Sequence, residues 1–198
     1  MIILIEGPRH SGKTFLIQNF LSINKNENLE YYKFYFANHV KELGLSKLDS
    51  EKSLHYLSLG NILTILEMNK SYEKIKIFDR SILSAYTWAI LQKRLSKKEA
   101  IEEFKRVIGS SLFCNCRHLV IEVEGETKDK IREKDDLWKA LHHTQTELEI
   151  MNELIEIGYS ELTDQTKGNY LIKIKNNFDY ESANIFNSAC NSFINQYK

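Results

Sequence analysis

The sequence predicts an α/β fold, a parallel sheet with helices on both faces. Three observations lead there. Short, continuous apolar runs of strand length recur along the chain and alternate with segments of helical periodicity. The first run, Ile2–Glu6, is followed at once by the glycine-framed turn Gly7–Gly12 and then by an amphipathic stretch. Strands that alternate with helices need crossover connections, which place the strands parallel and the helices on the two faces.

The elements follow in order. Ile2–Glu6 is a strand buried on both faces, the pattern of a central parallel strand. Lys13–Ile23 continues as a helix with Phe15, Leu16, Phe20 and Leu21 as its inner stripe. Tyr31–Phe36 is aromatic-rich and predicts the second strand. Leu54–Met68 carries Leu59, Ile62, Leu63 and Leu66 at helical spacing. Lys74–Asp79 predicts a strand that ends on an acid, and Ser81–Gln92 a helix. Ser96 with Glu99 three residues on forms a capping box, opening a helix whose Ile101, Phe104, Val107 and Ile108 face inward. His118–Val123 is the next strand and Gly125–Asp136 a charged connection. Leu137–Ile157 is a long helix stopped by Gly158, Tyr170–Lys175 the last strand, and Tyr180–Ile194 the closing helix. Ligands of such sheets bind outside the carboxyl ends of the strands, where Gly7, Asn38, Asp79 and Glu124 fall.

Composition narrows the function classes. The 198 residues suit one domain with no internal boundary, and 42% hydrophobic with 27% charged residues is ordinary for a globular chain. Lys plus Arg and Asp plus Glu both number 27, so the net charge is zero. That balance argues against a non-specific nucleic-acid coat and leaves room for a local basic cleft. Cys114, Cys116 and Cys190 make neither a disulfide framework nor a four-ligand zinc site. A reducing compartment, the cytosol, is expected. No signal peptide is read, and no stretch approaches the ~20 apolar residues of a membrane span.

The chemistry centres on Gly7-Pro8-Arg9-His10-Ser11-Gly12-Lys13-Thr14, which fits G-x-x-x-x-G-K-[ST] without mismatch. A glycine ends the strand and allows a tight turn. Successive amides then form an anion nest, and the following helix adds the positive end of its dipole. Lys13 is placed for the β and γ phosphates of a nucleoside triphosphate and Thr14 for Mg²⁺. The flanking strand and helix separate this string from a chance loop. His10 stands where related loops often carry glycine, and reads best as a solvent-facing loop residue rather than a catalyst or metal ligand.

Asp79 ends a strand, where a carboxylate holds Mg²⁺ directly or through water. Arg80 follows it and is placed to grip acceptor oxygens or the charge on a transferring group. The bland reading, a helix N-cap and a surface arginine, is weakened by the strand-end position. Lys128, Lys130 and Arg132 lie on the charged connection and suit a lid over a triphosphate, with Arg132 foremost. Asp129, Glu133, Asp135 and Asp136 interleave with them, so a solvated loop stands beside that reading. His142 and His143 are read as surface or core residues. Among the aromatics Tyr31, Tyr32, Phe34, Tyr35, Phe36, Tyr86 and Trp88, most are core, with contacts to the acceptor expected near Phe36 and Tyr86.

Taken together, the phosphate loop, Asp79-Arg80-Ser81-Ile82-Leu83-Ser84 and the basic segment near Lys128–Lys134 resemble the thymidylate kinase and deoxynucleoside kinase group of P-loop kinases. The Asp-Arg-Ser segment is similar to the acid-Arg-Ser-x-x-Ser segment of deoxynucleoside kinases and the Asp-Arg-Tyr-x-x-Ser segment of thymidylate kinases. The resemblance implies a three-layer αβα, five-stranded parallel sheet of the P-loop NTPase fold. It implies ATP as donor, Mg²⁺ as cofactor, a nucleotide or nucleoside acceptor, and an assembly that is often a homodimer. Arg80 would bind the acceptor, with Ser84 beside it, and Lys13 and the lid bases the transferred group. Two departures stand at the acceptor end. The glutamate that deoxynucleoside kinases carry after the second strand is absent from Phe36-Ala37-Asn38-His39, with Glu42 the nearest acid. The helix Leu54–Met68 lacks the arginine of thymidylate kinases, with Ser58 and Asn61 in that neighbourhood.

Two other readings remain at this stage. One is a P-loop kinase for another hydroxyl, such as a modified base or a nucleic-acid end. The other is a nucleotide-dependent ATPase or switch, against which stand the missing guanine-reading Asn-Lys-x-Asp string and the lack of sequence for a second domain.

Overall fold

A computed structural model describes residues 1–8, 11–25, 28–33, 74–109, 116–123, 137–160 and 170–197, with side chains described for all of these but 33, 137–145 and 197. The strands are β1 (Ile2–Glu6), β2 (Leu29–Lys33), β3 (Ile75–Asp79), β4 (Cys116–Glu122) and β5 (Leu171–Lys175). The helices are α1 (Lys13–Ile23), α2 (Ile82–Leu91), α3 (Lys97–Ile108), α4 (Leu137–Gly158) and α5 (Tyr180–Tyr197). All neighbouring strands pair in parallel, in the order β2-β3-β1-β4-β5. The fold is therefore the three-layer αβα arrangement around a five-stranded parallel sheet.

Alternation along the strands explains the layers. Ile2 and Leu4 point to one face and Ile3 and Ile5 to the other, and each pair enters a different hydrophobic core. The first core joins Val120 and Leu171 to Leu83 and Tyr86 of α2, Phe104 of α3, and Met151 and Leu154 of α4. The second joins Ile77, Leu119 and Ile174 to Leu16, Ile17 and Phe20 of α1 and Phe186 and Phe193 of α5. With no water-facing side, β1 is apolar throughout except at its last residue, Glu6.

Local signals set the helix ends. The capping box is present: the Glu99 amide donates to Ser96 Oγ at 3.3 Å and the Ser96 amide to Glu99 Oε2 at 2.9 Å. At the end of α4, a Cβ on Gly158 would meet the Phe104 ring at 2.7 Å, so the absence of a side chain there lets α4 close against α3.

Some expectations shift. The inner stripe of α1 is Leu16, Ile17 and Phe20, whereas Phe15 is 58% exposed. Helical phase decides this, since the sheet side begins at buried Lys13 and recurs three, four and seven residues on. The second strand starts earlier than its aromatics indicate, because Leu29 and Glu30 pair with Ile75 and Lys76, and 34–36 lie outside the described residues. The expected helix at 54–68 and the lid at 125–136 also lie outside them. No helix among the described residues is long and apolar enough to cross a membrane.

Phe104 is fully buried between α2, α4 and His118. Phe104→Ala should lower unfolding stability by about 3–5 kcal/mol, measured by chemical denaturation.

Candidate active site

The sheet order reverses at β1, so the crevice outside the carboxyl ends of β1 and β3 is where this topology admits a ligand. Ile5 pairs with Asp79, which brings the turn after β1 alongside the end of β3.

The turn after β1 requires glycine twice. Gly7 has φ 145°, and a Cβ there would meet the Ile121 carbonyl oxygen at 2.5 Å. Gly12, at φ 79°, would drive a Cβ into the Asn176 amide and the Phe178 ring. Lys13 opens α1 and folds back over the loop. Its Nζ donates to the carbonyls of Gly7 at 2.9 Å and Pro8 at 2.6 Å and to Ser11 Oγ at 3.0 Å. Burial lowers the Lys13 pKa to about 7, and the nearby Arg80 charge adds to the effect, opposed by Asp79, Glu147 and Glu6.

Asp79 is fully buried at the end of β3. Its Oδ2 accepts from Thr14 Oγ1 at 2.8 Å and from the Tyr31 hydroxyl at 3.3 Å. Burial, then the Asp79 charge, pushes the Tyr31 pKa up to about 12, so the phenol remains a donor. Asp79 Oδ1 is buried with no hydrogen-bond partner among the described residues. A hydroxyl beside a carboxylate with a spare buried oxygen is a hard-oxygen donor set that fits Mg²⁺.

Arg80 has the left-handed backbone φ of 73°, unusual for a residue with a side chain. Its amide donates to the Ile5 carbonyl at 2.9 Å, tying the strained turn to β1. Its guanidinium Nη1 donates to Glu147 Oε1 at 2.9 Å, and the two side chains are 15% and 1% exposed. Glu6 is fully buried behind the turn and accepts from both Ser81 Oγ and Ser84 Oγ. Burial raises its pKa, and the two hydroxyls and the positive charges of Arg80 and Lys13 oppose the rise.

Of the residues expected to act together, Gly7, Pro8, Ser11, Gly12, Lys13, Thr14, Asp79 and Arg80 converge here. Ser84 and Tyr86 do not face the cleft. Ser84 is 4% exposed and engaged with Glu6, while Tyr86 is fully buried against Phe104. The first turns of α2 pack on the sheet, which turns both side chains inward. Arg9, His10, Phe36, Lys128, Lys130 and Arg132 lie outside the described residues.

Three participants escaped the sequence reading. Asn176, just after β5, is fully buried, and its Nδ2 donates to the Ser11 carbonyl at 2.8 Å while its Oδ1 accepts from the Phe178 amide at 2.9 Å. It braces the phosphate loop from 165 residues away in sequence. Glu6 was legible as an acid ending an apolar run, as Asp79 is. Glu147 carries no local signal that separates it from its neighbours Glu149 and Glu153 on α4.

No protein-family model matches the chain, and no curated protein matches it in sequence. Solved structures do match in fold. Thymidylate kinase from Ehrlichia chaffeensis superposes with a TM-score of 0.58 over 98% of both chains at 16% identity. A NadR protein crystallised with NR gives 0.56 at 11% identity, covering 97% of this chain and 50% of that one. Deoxyadenosine kinase from M. mycoides, solved with dCTP, gives 0.51 at 15% identity over 97% and 100%. The chain has the fold of P-loop kinases. Among these, thymidylate kinase and deoxyadenosine kinase match it over their whole length.

Lys13 gives this site a pH signature. Its folded pKa lies below that of a free lysine, so between about pH 7 and 10 the unfolded chain binds more protons than the folded one. The Lys13 contribution to stability therefore rises with pH across that window, by at most roughly 1.4 kcal/mol per unit. Melting curves of wild type and Lys13→Met should diverge in slope there, wild type gaining stability relative to the variant.

Proposed function

We propose that the chain is a Mg²⁺-dependent kinase that transfers the γ-phosphoryl group of ATP to a nucleoside- or nucleotide-type acceptor. The observation that supports this most directly is the convergence of Lys13, Thr14, Asp79 and Arg80 on the crevice between β1 and β3. In this reading the amides of residues 7–14 and the α1 dipole bind the triphosphate. Lys13 exchanges the Gly7 and Pro8 carbonyls for phosphate oxygens, a replacement of neutral partners by anionic ones that restores its full charge. Thr14 and Asp79 would hold Mg²⁺, which when bound neutralises phosphate charge. Arg80 stabilises negative charge on the transferring group or the acceptor. Lys128, Lys130 and Arg132 are proposed to close over the triphosphate and exclude water.

ADP release measured with and without a panel of deoxynucleosides and their 5′-monophosphates tests the reading. A kinase gives acceptor-dependent release; slow, acceptor-independent turnover would point to a switch or ATPase instead. Lys13→Ala should abolish transfer while leaving the circular dichroism spectrum intact. Arg80→Ala should raise the transfer barrier by about 2–4 kcal/mol, read from kcat/KM, and an unchanged value would remove it from the mechanism.

A further inference from the structure

Resting on the Mg²⁺-dependent reading, we infer that Tyr31 positions Asp79 for its cation and selects Mg²⁺ over Ca²⁺. Its hydroxyl ties down one carboxylate oxygen, so that only the other is offered to a metal. Sheet register brings the two residues together. Tyr31 on β2 lies opposite Ile77, so Asp79 is two residues further along the neighbouring parallel strand. Alternate residues of a strand share a face, and Tyr31, Ile77 and Asp79 therefore lie on the one that α1 covers. The Tyr31 ring packs against the second core, as a phenylalanine could. The hydroxyl is what phenylalanine lacks, and it reaches Asp79 Oδ2 at 3.3 Å. Thr14 donates to the same oxygen from α1 at 2.8 Å.

Two donors from different elements, one on the sheet and one on a helix, hold Oδ2 and resist rotation of the carboxylate about its Cβ–Cγ bond. Oδ1 is buried and has no hydrogen-bond partner among the described residues. A buried acceptor left in that state is costly, and a cation relieves the cost. The two donors are not equivalent. The Thr14 hydroxyl can give its proton to Oδ2 and still present a lone pair to a metal, so it both binds and orients. Tyr31 acts through the carboxylate alone. The result is a carboxylate that binds through one oxygen. Mg²⁺ suits that arrangement, because it demands compact octahedral geometry and completes it with phosphate oxygens and water. Ca²⁺ is larger, takes more oxygen ligands and gains from carboxylates that bind through both oxygens. With Oδ2 held by two hydroxyls, that second contact would cost a hydrogen bond.

The test reads binding rather than turnover: AMP-PNP is titrated calorimetrically onto the full chain in excess Mg²⁺, in excess Ca²⁺ and in EDTA. Wild type should bind the Mg²⁺ complex more tightly than the Ca²⁺ complex. Tyr31→Phe should lose about ten-fold in affinity for the Mg²⁺ complex, the scale on which partners that orient metal-binding groups act. It should leave the affinity in EDTA unchanged and narrow the Mg²⁺ to Ca²⁺ ratio, which a general loosening of the fold would not do. In an Asp79→Asn background the same substitution should have no further effect, because Tyr31 acts through the carboxylate. The phenylalanine keeps the ring that fills the core, and a melting temperature near that of wild type verifies the fold. Should the variant melt early, equal wild-type affinity for the two complexes still overturns the inference. So does a wild-type ratio in Tyr31→Phe, an equal loss in EDTA, or a full effect in Asp79→Asn, each leaving the kinase reading standing. Failure of wild type to take up AMP-PNP with either metal removes both.

Discussion

A lysine ammonium buried inside its own loop is the constraint on which the rest of this structure turns. Lys13 is 5% exposed, and its hydrogen-bond partners among the described residues are two carbonyls and a hydroxyl, all neutral groups. A desolvated cation with neutral partners is costly, and its lowered proton affinity expresses that cost. The arrangement is tolerable because the surrounding acids Asp79, Glu147 and Glu6 offset part of the penalty. It is also directional: what relieves it best is an anion brought to the loop.

The acids and the strain belong to one construction. Asp79, Arg80 and Ser81 leave β3 through a left-handed residue that no glycine relieves. The Arg80 amide bond to Ile5, the two serine hydroxyls on Glu6 and the Arg80–Glu147 pair hold that turn from three sides. Strain of this sort persists only where surrounding contacts over-determine it. The consequence is a guanidinium aimed along the crevice toward α4 rather than into solvent. From the opposite flank Asn176 secures the Ser11 carbonyl, so both walls of the crevice are fixed by buried hydrogen bonds.

Helix phase governs what the cleft can offer an acceptor. The α2 helix begins three residues after Asp79 and drops directly onto the first core, carrying Ser84 and Tyr86 inward. Polar and aromatic identity made both attractive as contacts, but a residue's orientation follows from the helix it belongs to. The α4 helix, by contrast, brings Glu147 back to the Asp-Arg turn after an excursion of more than sixty positions.

Local grammar determined a good deal on its own. Apolar runs marked β1, β3, β4 and β5 to within a residue or two, most cleanly at β1, which is buried on both faces. The Ser96–Glu99 box marked the start of α3, and the phosphate loop announced itself because close backbone approach admits so few residues. What only the tertiary structure decided is every relation between segments distant in sequence. The bracing of Ser11 by Asn176, the clamping of Glu6 by Ser81 and Ser84, and the choice of Glu147 over Glu149 or Glu153 as the partner of Arg80 depend on which side chains the sheet order and helix phase bring together. One-dimensional pattern reads periodicity and turns, whereas an ion pair is chosen by three-dimensional proximity under burial, and no local signal encodes that.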